Sequence, residues 1–90
     1  MYEIKTTTRF KKDIKALVKQ GKNMEKLWKV VELLAAGEEL PTKNKLHNLS
    51  GDYSGFGECH IEPDWLLIFL IDEDVLVLTL TRTGSHSDLF

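Results

Sequence analysis

Apolar residues recur at helical spacing along the first third of the chain. Phe10, Ile14, Leu17 and Val18 fall at i, i+4, i+7 and i+8, which makes one stripe of an amphipathic helix. Thr6, Thr7 and Thr8 precede the stripe, and a threonine hydroxyl can accept from the free amides of a first helical turn. Gly21 stops this helix. Asn23 can cap a second one, in which Met24, Leu27, Trp28, Val31, Leu34 and Ala35 form another stripe. Gly37 suits its C-cap and Pro41 lies in the loop beyond. Two such helices with a short joint predict a helical hairpin.

The pattern changes in the second half. Gly51, Ser54, Gly55 and Gly57 mark turns or close backbone approach. Three strand candidates follow, at about Phe56–Ile61, Trp65–Ile71 and Val75–Arg82. Glu62-Pro63-Asp64 and Asp72-Glu73-Asp74 are joints short enough for hairpins. Tyr2 to Lys5 suits a first strand, and the tail from Thr83 to Phe90 has room for one helical turn. The predicted order is β-α-α-β-β-β plus that turn. This is an α+β fold, with an N-terminal strand and a helical hairpin packed on a mostly antiparallel sheet.

Ninety residues support one domain with one modest core, spanning 1–90. The longest apolar run, Trp65 to Ile71, is far short of the roughly 20 residues that a membrane-spanning helix needs. The first residues hold no signal-peptide core, and the single cysteine, Cys59, excludes an internal disulfide. The expectation is a soluble cytoplasmic protein with no membrane partner. Charge divides the chain. Residues 1–50 carry 11 Lys and Arg against 6 Asp and Glu; residues 51–90 carry 1 against 8. The net charge of −2 therefore hides a basic half, which suits either a nucleic-acid face or two helices with solvated lysines.

Candidate chemistry gathers in the acidic half. All the histidines lie there or at its border: His47, His60 and His86. RNA cleavage needs a base for the ribose 2′-OH, an acid for the leaving 5′-oxygen, and positive charge near the phosphate. Histidine, with an unperturbed pKa of about 6.5, suits both proton transfers. Arg82, the only basic residue after Lys45, suits the phosphate or else a salt bridge. Glu58 and His60 share a strand face by period two, and Asp64 lies across a hairpin from His60. Plainer roles stay open. His47 fits a loop residue anchored by Asn48 and Ser50. His60 fits a half-buried ring on a backbone carbonyl. Asp64 fits a turn, and Phe90 a core plug or a frayed end. Hairpins and parity alone do not bring Arg82 and His86 to His60; strand order and stagger must do so. A metal site from His47, His60, His86 and Asp64 lacks any metal-binding spacing motif, so neither a metal nor another cofactor is predicted.

Two blocks carry a family resemblance. One is Leu46-His47-Asn48-Leu49-Ser50-Gly51 followed by Tyr53-Ser54-Gly55-Phe56-Gly57-Glu58-Cys59-His60-Ile61-Glu62-Pro63-Asp64-Trp65-Leu66-Leu67-Ile68. The other is the tail from Leu80-Thr81-Arg82 through His86 to Phe90. Together they resemble YafQ-type toxins of the RelE/ParE superfamily. The resemblance implies a RelE/ParE-like fold, a cognate antitoxin as partner, and endonucleolytic cleavage of mRNA on the ribosome. It implies a site of His47, His60, Asp64, Arg82, His86 and Phe90. In that site His86 is the general acid, and Asp64 with His47 or His60 activates the 2′-OH. Arg82 binds the scissile phosphate and Phe90 positions a base. A gyrase-inhibiting toxin, or a non-catalytic binding relative on the same scaffold, are the alternatives.

Overall fold

Thr7 sets the start of the first helix. Its backbone is extended and its side chain accepts from the amide of Phe10, which caps α1 (Thr8–Lys19). Gly21, at φ 76°, supplies the left-handed residue that ends it. Asn23 accepts from the amide of Glu25 and caps α2 (Met24–Ala35). In the computed structural model, which describes residues 1–49, 51 and 55–90, these helices pack on one face of a sheet. Ser50, Tyr53 and Ser54, named above as an anchor, a motif residue and a turn, lie outside the described residues.

Among the described residues the strands are β1 (Glu3–Thr6), β2 (His47–Asn48), β3 (Gly57–Glu62), β4 (Trp65–Asp72) and β5 (Val77–Gly84). They form one sheet in the order β1-β5-β4-β3-β2. β1 runs parallel to β5 and the other pairs are antiparallel. The parallel pair needs a crossover, and α1 and α2 provide it. One turn of helix, α3 (His86–Leu89), closes the chain, held by a capping box between Ser85 and Asp88.

Both faces of β4 are covered, which explains its unbroken apolar run. Trp65, Leu67 and Phe69 join Phe10, Leu27, Val31 and Leu78 in the main core under the helices. Leu66 and Ile68 face the other way, against Leu89, Leu49 and Phe56. Burying a large side chain of this kind contributes about 1.5–3 kcal/mol. Gly57 is a close approach: a Cβ there would stand 2.6 Å from the Phe69 ring.

Four expectations shift. Val18 is 57% exposed and leaves the first stripe, whereas Val30 is buried and joins the second. Trp28, expected in that second stripe, lies edge-on to Phe10 and stays 41% exposed. The last strand begins at Val77 rather than Val75, because Leu76 takes a left-handed conformation in a longer turn. The short β2 was not anticipated.

Two bulges set the side-chain rows. Ile61 is the extra residue of β3 against β4, between the pairs His60–Leu66 and Glu62–Trp65. Thr81 is the extra residue of β5, between the pairs Phe69–Leu80 and Ile68–Arg82. The second bulge changes the parity of β5. Without it Arg82 would fall in register with the core face that Leu78 and Leu80 occupy.

Candidate active site

β2 contributes the first histidine. Register pairs His47 with Glu58, Glu58 with Ile68, and Ile68 with Arg82, which is one row across four strands. The neighbouring row pairs His60 with Leu66 and Leu66 with Gly84, one residue before the Ser85 cap of α3. The strand order thus brings residues 47, 60 and 86 to one end of the sheet.

The three rings follow one another as neighbours, His60 between the other two. The centroids of His47 and His60 are 6.5 Å apart, and those of His60 and His86 are 5.8 Å apart. A carboxylate serves each end of the series. Glu58 Oε1 lies 3.2 Å from His47 Nε2 and 3.6 Å from His60 Nε2. The Glu58 side chain is only 6% exposed, so the two rings form much of the polar environment it has. At the other end Asp64 Oδ1 lies 2.7 Å from His86 Nδ1. It also accepts the backbone N–H of His86 at 3.0 Å.

These contacts assign protons. A carboxylate accepts, so the ring nitrogen of His86 that faces Asp64, Nδ1, carries the hydrogen. The Lys45 carbonyl lies 2.9 Å from His47 Nδ1 and also only accepts, so that nitrogen donates and Nε2 faces Glu58. The backbone and ring N–H groups of His86 hold the Asp64 carboxyl below its ordinary range. Burial, reinforced by the Glu58 charge, pushes the Cys59 thiol up to about 12, so it stays neutral and takes no part.

The predicted residues fall into two sets. His47, His60, Asp64 and His86 converge. Asp64 closes the β3–β4 turn as the local sequence suggested, but its partner is His86, and the carboxylate facing His47 and His60 is Glu58. Arg82 shares the row of His47 and Glu58, while its guanidinium is engaged by Asp13 of α1 at 2.8 and 3.1 Å. Phe90 lies one helical turn past His86, donates its backbone N–H to the His86 carbonyl, and is 62% exposed. Glu58 and Asp13 were missed as site residues. The period-two spacing of Glu58 with His60 was the available signal for the first; no local signal pointed to the second.

Two grooves border the site and share Lys26, Glu62 and Pro63 in their linings. One, of about 680 Å³, includes Asp64. The other, of about 540 Å³, includes His60 with Lys29, Lys43 and Lys45. Their shared wall is braced by Lys26, 2.8 Å from Glu62, and by Lys22 at 3.5 Å. Among the described residues no group of three or more His, Cys, Asp and Glu side chains forms a metal-holding cluster.

Residues 2–90 match the family described as the bacterial toxin of type II toxin–antitoxin systems, YafQ. The chain is 36% identical over 89 residues to the mRNA interferase toxin YafQ of Escherichia coli strain K12, covering 98% of this chain and 95% of that protein. A metal-bound toxin from Helicobacter pylori superposes with a TM-score of 0.95 at 46% identity over 100% of both chains. A structure of the E. coli DinJ–YafQ complex gives 0.92 at 35% identity, covering 100% of this chain and 99% of the matched one.

Proposed function

The chain belongs to the YafQ family of type II toxins, and from that footing we propose that it is an mRNA endonuclease acting on the translating ribosome and masked by a cognate antitoxin in the cytoplasm. The observation that carries this reading is the series of three imidazoles with a carboxylate at each end. It supplies the two proton-transfer groups that 2′-OH attack requires. A gyrase poison on the same scaffold has no use for them.

The reaction divides along that series. The ribose 2′-oxygen attacks the scissile phosphorus, its proton passing to the His47–Glu58–His60 cluster. The P–O5′ bond breaks, and the electron pair on O5′ takes a proton from Nε2 of His86. Asp64, hydrogen-bonded to Nδ1, orients the ring and stabilises its cationic form. Arg82 balances the charge that builds on the phosphoryl oxygens. Phe90 stacks on or positions a base. The products are a 2′,3′-cyclic phosphate and a 5′-hydroxyl.

The ribosome completes the site. Net charge is −2 and the half bearing most of the site is acidic, whereas affinity for naked RNA comes mainly from phosphate neutralisation. The basic half, with Lys11, Lys12, Lys15 and Lys19 exposed on α1, offers a surface for ribosomal RNA or for an acidic antitoxin segment. The test is induction in cells, primer extension on a translated message, and end-group analysis of the fragments. Cuts phased to codons with 5′-hydroxyl ends support the reading. Intact message during growth arrest contradicts it and favours the gyrase alternative.

A further inference from the structure

Asp13 is the only acidic residue in α1, among four lysines and an arginine. It does not lie on the solvated face with them. It sits at the inward spacing between Phe10 and Leu17, both buried, and its side chain is 14% exposed. Its two oxygens are fully directed. Oδ2 accepts from Arg82 Nε at 2.8 Å and from the backbone N–H of Thr83 at 3.1 Å, while Oδ1 accepts from Arg82 Nη2 at 3.1 Å. This is a bidentate carboxylate–guanidinium fork, and it fixes the guanidinium plane as a single contact could not.

The surrounding backbone serves the same end. β1 pairs with β5 only from Val77 to Leu80. Beyond that point α1 takes over the edge of β5. The Thr7 amide donates to the Leu80 carbonyl and the Thr7 hydroxyl donates to the Thr81 carbonyl. Asp13 then takes the Thr83 amide. The Thr81 bulge lies inside this stretch and puts Arg82 in register with Ile68 and Glu58. A bulge and a fork thus act on one side chain. A largely buried ion pair is weak evidence of stabilisation, and an apolar pair often serves as well.

We propose that Asp13 is a positioning residue of the active site: it holds the Arg82 guanidinium in the orientation that receives the scissile phosphate. The inference rests on the role given to Arg82 above. Asp13 is placed to act through Arg82, while its contact with the Thr83 amide holds the strand beside it, so its loss should lower turnover without weakening message binding.

The test is a double-mutant cycle of Asp13→Asn and Arg82→Ala, with cleavage by purified protein measured on translating ribosomes. Asp13→Asn should lower kcat about tenfold to a hundredfold, the usual range for losing hydrogen bonds to a charged group, and leave KM within about twofold. In the Arg82→Ala background the same change should cost nothing further. An equal loss in both backgrounds would overturn the proposal, because Asp13 would then act independently of Arg82. Full activity in Arg82→Ala would instead remove the phosphate role itself, whatever Asp13 does. Nitrogen NMR of the unaltered protein does not depend on how the variants fold. A locked fork predicts a slowly exchanging Arg82 Nε–H and hindered rotation about Nε–Cζ; free rotation would contradict it.

Discussion

Oδ1 of Asp64 accepts two hydrogen bonds from His86, one from ring Nδ1 at 2.7 Å and one from the backbone amide at 3.0 Å. The pair spans 22 residues and joins the β3–β4 turn to the first residue of α3. One oxygen therefore fixes both the tautomer of the ring and the start of the helix that carries it. Replacing His86 with alanine removes the proposed proton donor but little packing, since the ring is more than half exposed. Cleavage should fall by roughly 10² to 10⁴, the usual worth of a general acid, with circular dichroism and melting temperature nearly unchanged. An active His86→Ala protein would show that the acid lies elsewhere.

The same contact has a pH signature. The His86 hydrogen bonds lower the Asp64 pKa relative to the unfolded chain. A lowered carboxyl adds stability above its unfolded value, about 3.9, and loses it as pH falls through the lower folded value. The Asp64 carboxyl carbon, followed by NMR, should titrate below about 3.9 in the wild-type protein. It should move back toward that value in His86→Ala. The backbone N–H survives the substitution, so the return should be partial; an unaffected midpoint would mean that the ring contact does not persist in solution.

Phe90 is 62% exposed one turn beyond His86, so its ring is not committed to the core. Base–aromatic stacking is worth about 1–3 kcal/mol. Phe90→Ala should therefore weaken cleavage by roughly fivefold to a hundredfold with little loss of melting temperature. Parallel losses of stability and activity would assign the ring to packing.

Cys59 gives a readout of the fold through its burial. It is fully buried, and its thiol is pushed up to about 12. Below about pH 8.5 the unfolded thiol is neutral too. As pH rises from there toward 12, only the unfolded chain ionises, so stability is lost across that window. Iodoacetamide at pH 8 should modify denatured protein promptly and native protein only at the rate of unfolding. Fast modification of native protein would mean that the helices do not seal the core as described.

Much of this arrangement was legible in local sequence. The caps Thr7 and Asn23, the stop at Gly21 and the turn at Glu62-Pro63-Asp64 each depend on a few adjacent residues, and each appears where the sequence indicated. What sequence did not carry was pairing at long range. The parallel β1–β5 pair and the two-residue β2 arise from tertiary contacts. Val18 was misjudged because a position at i+8 sits at the margin of the apolar arc. The Thr81 bulge leaves no sign in the alternation of β5, yet it decides the register of Arg82. Glu58 looked like an ordinary outward strand residue until β2 paired beside it and set His47 against its carboxylate. Nothing in the local sequence singled out Asp13.

If α1 docks an acidic antitoxin segment through Lys11 and Lys15, reversing both charges should raise the dissociation constant, and more so at low salt, where screening is weak. Isothermal titration across a salt series checks this. Affinity that does not change with either charge or salt would move the interface off α1.

The proposed dependence on the ribosome is open to the most direct test. Purified protein and one message are incubated in about 0.15 M salt, with and without translating ribosomes, at equal concentrations. The proposal predicts codon-phased cleavage with ribosomes and little cleavage without them, because a net-acidic half would hold naked RNA poorly and the ribosome would supply orientation. Comparable rates in the two reactions would identify a free ribonuclease and contradict it.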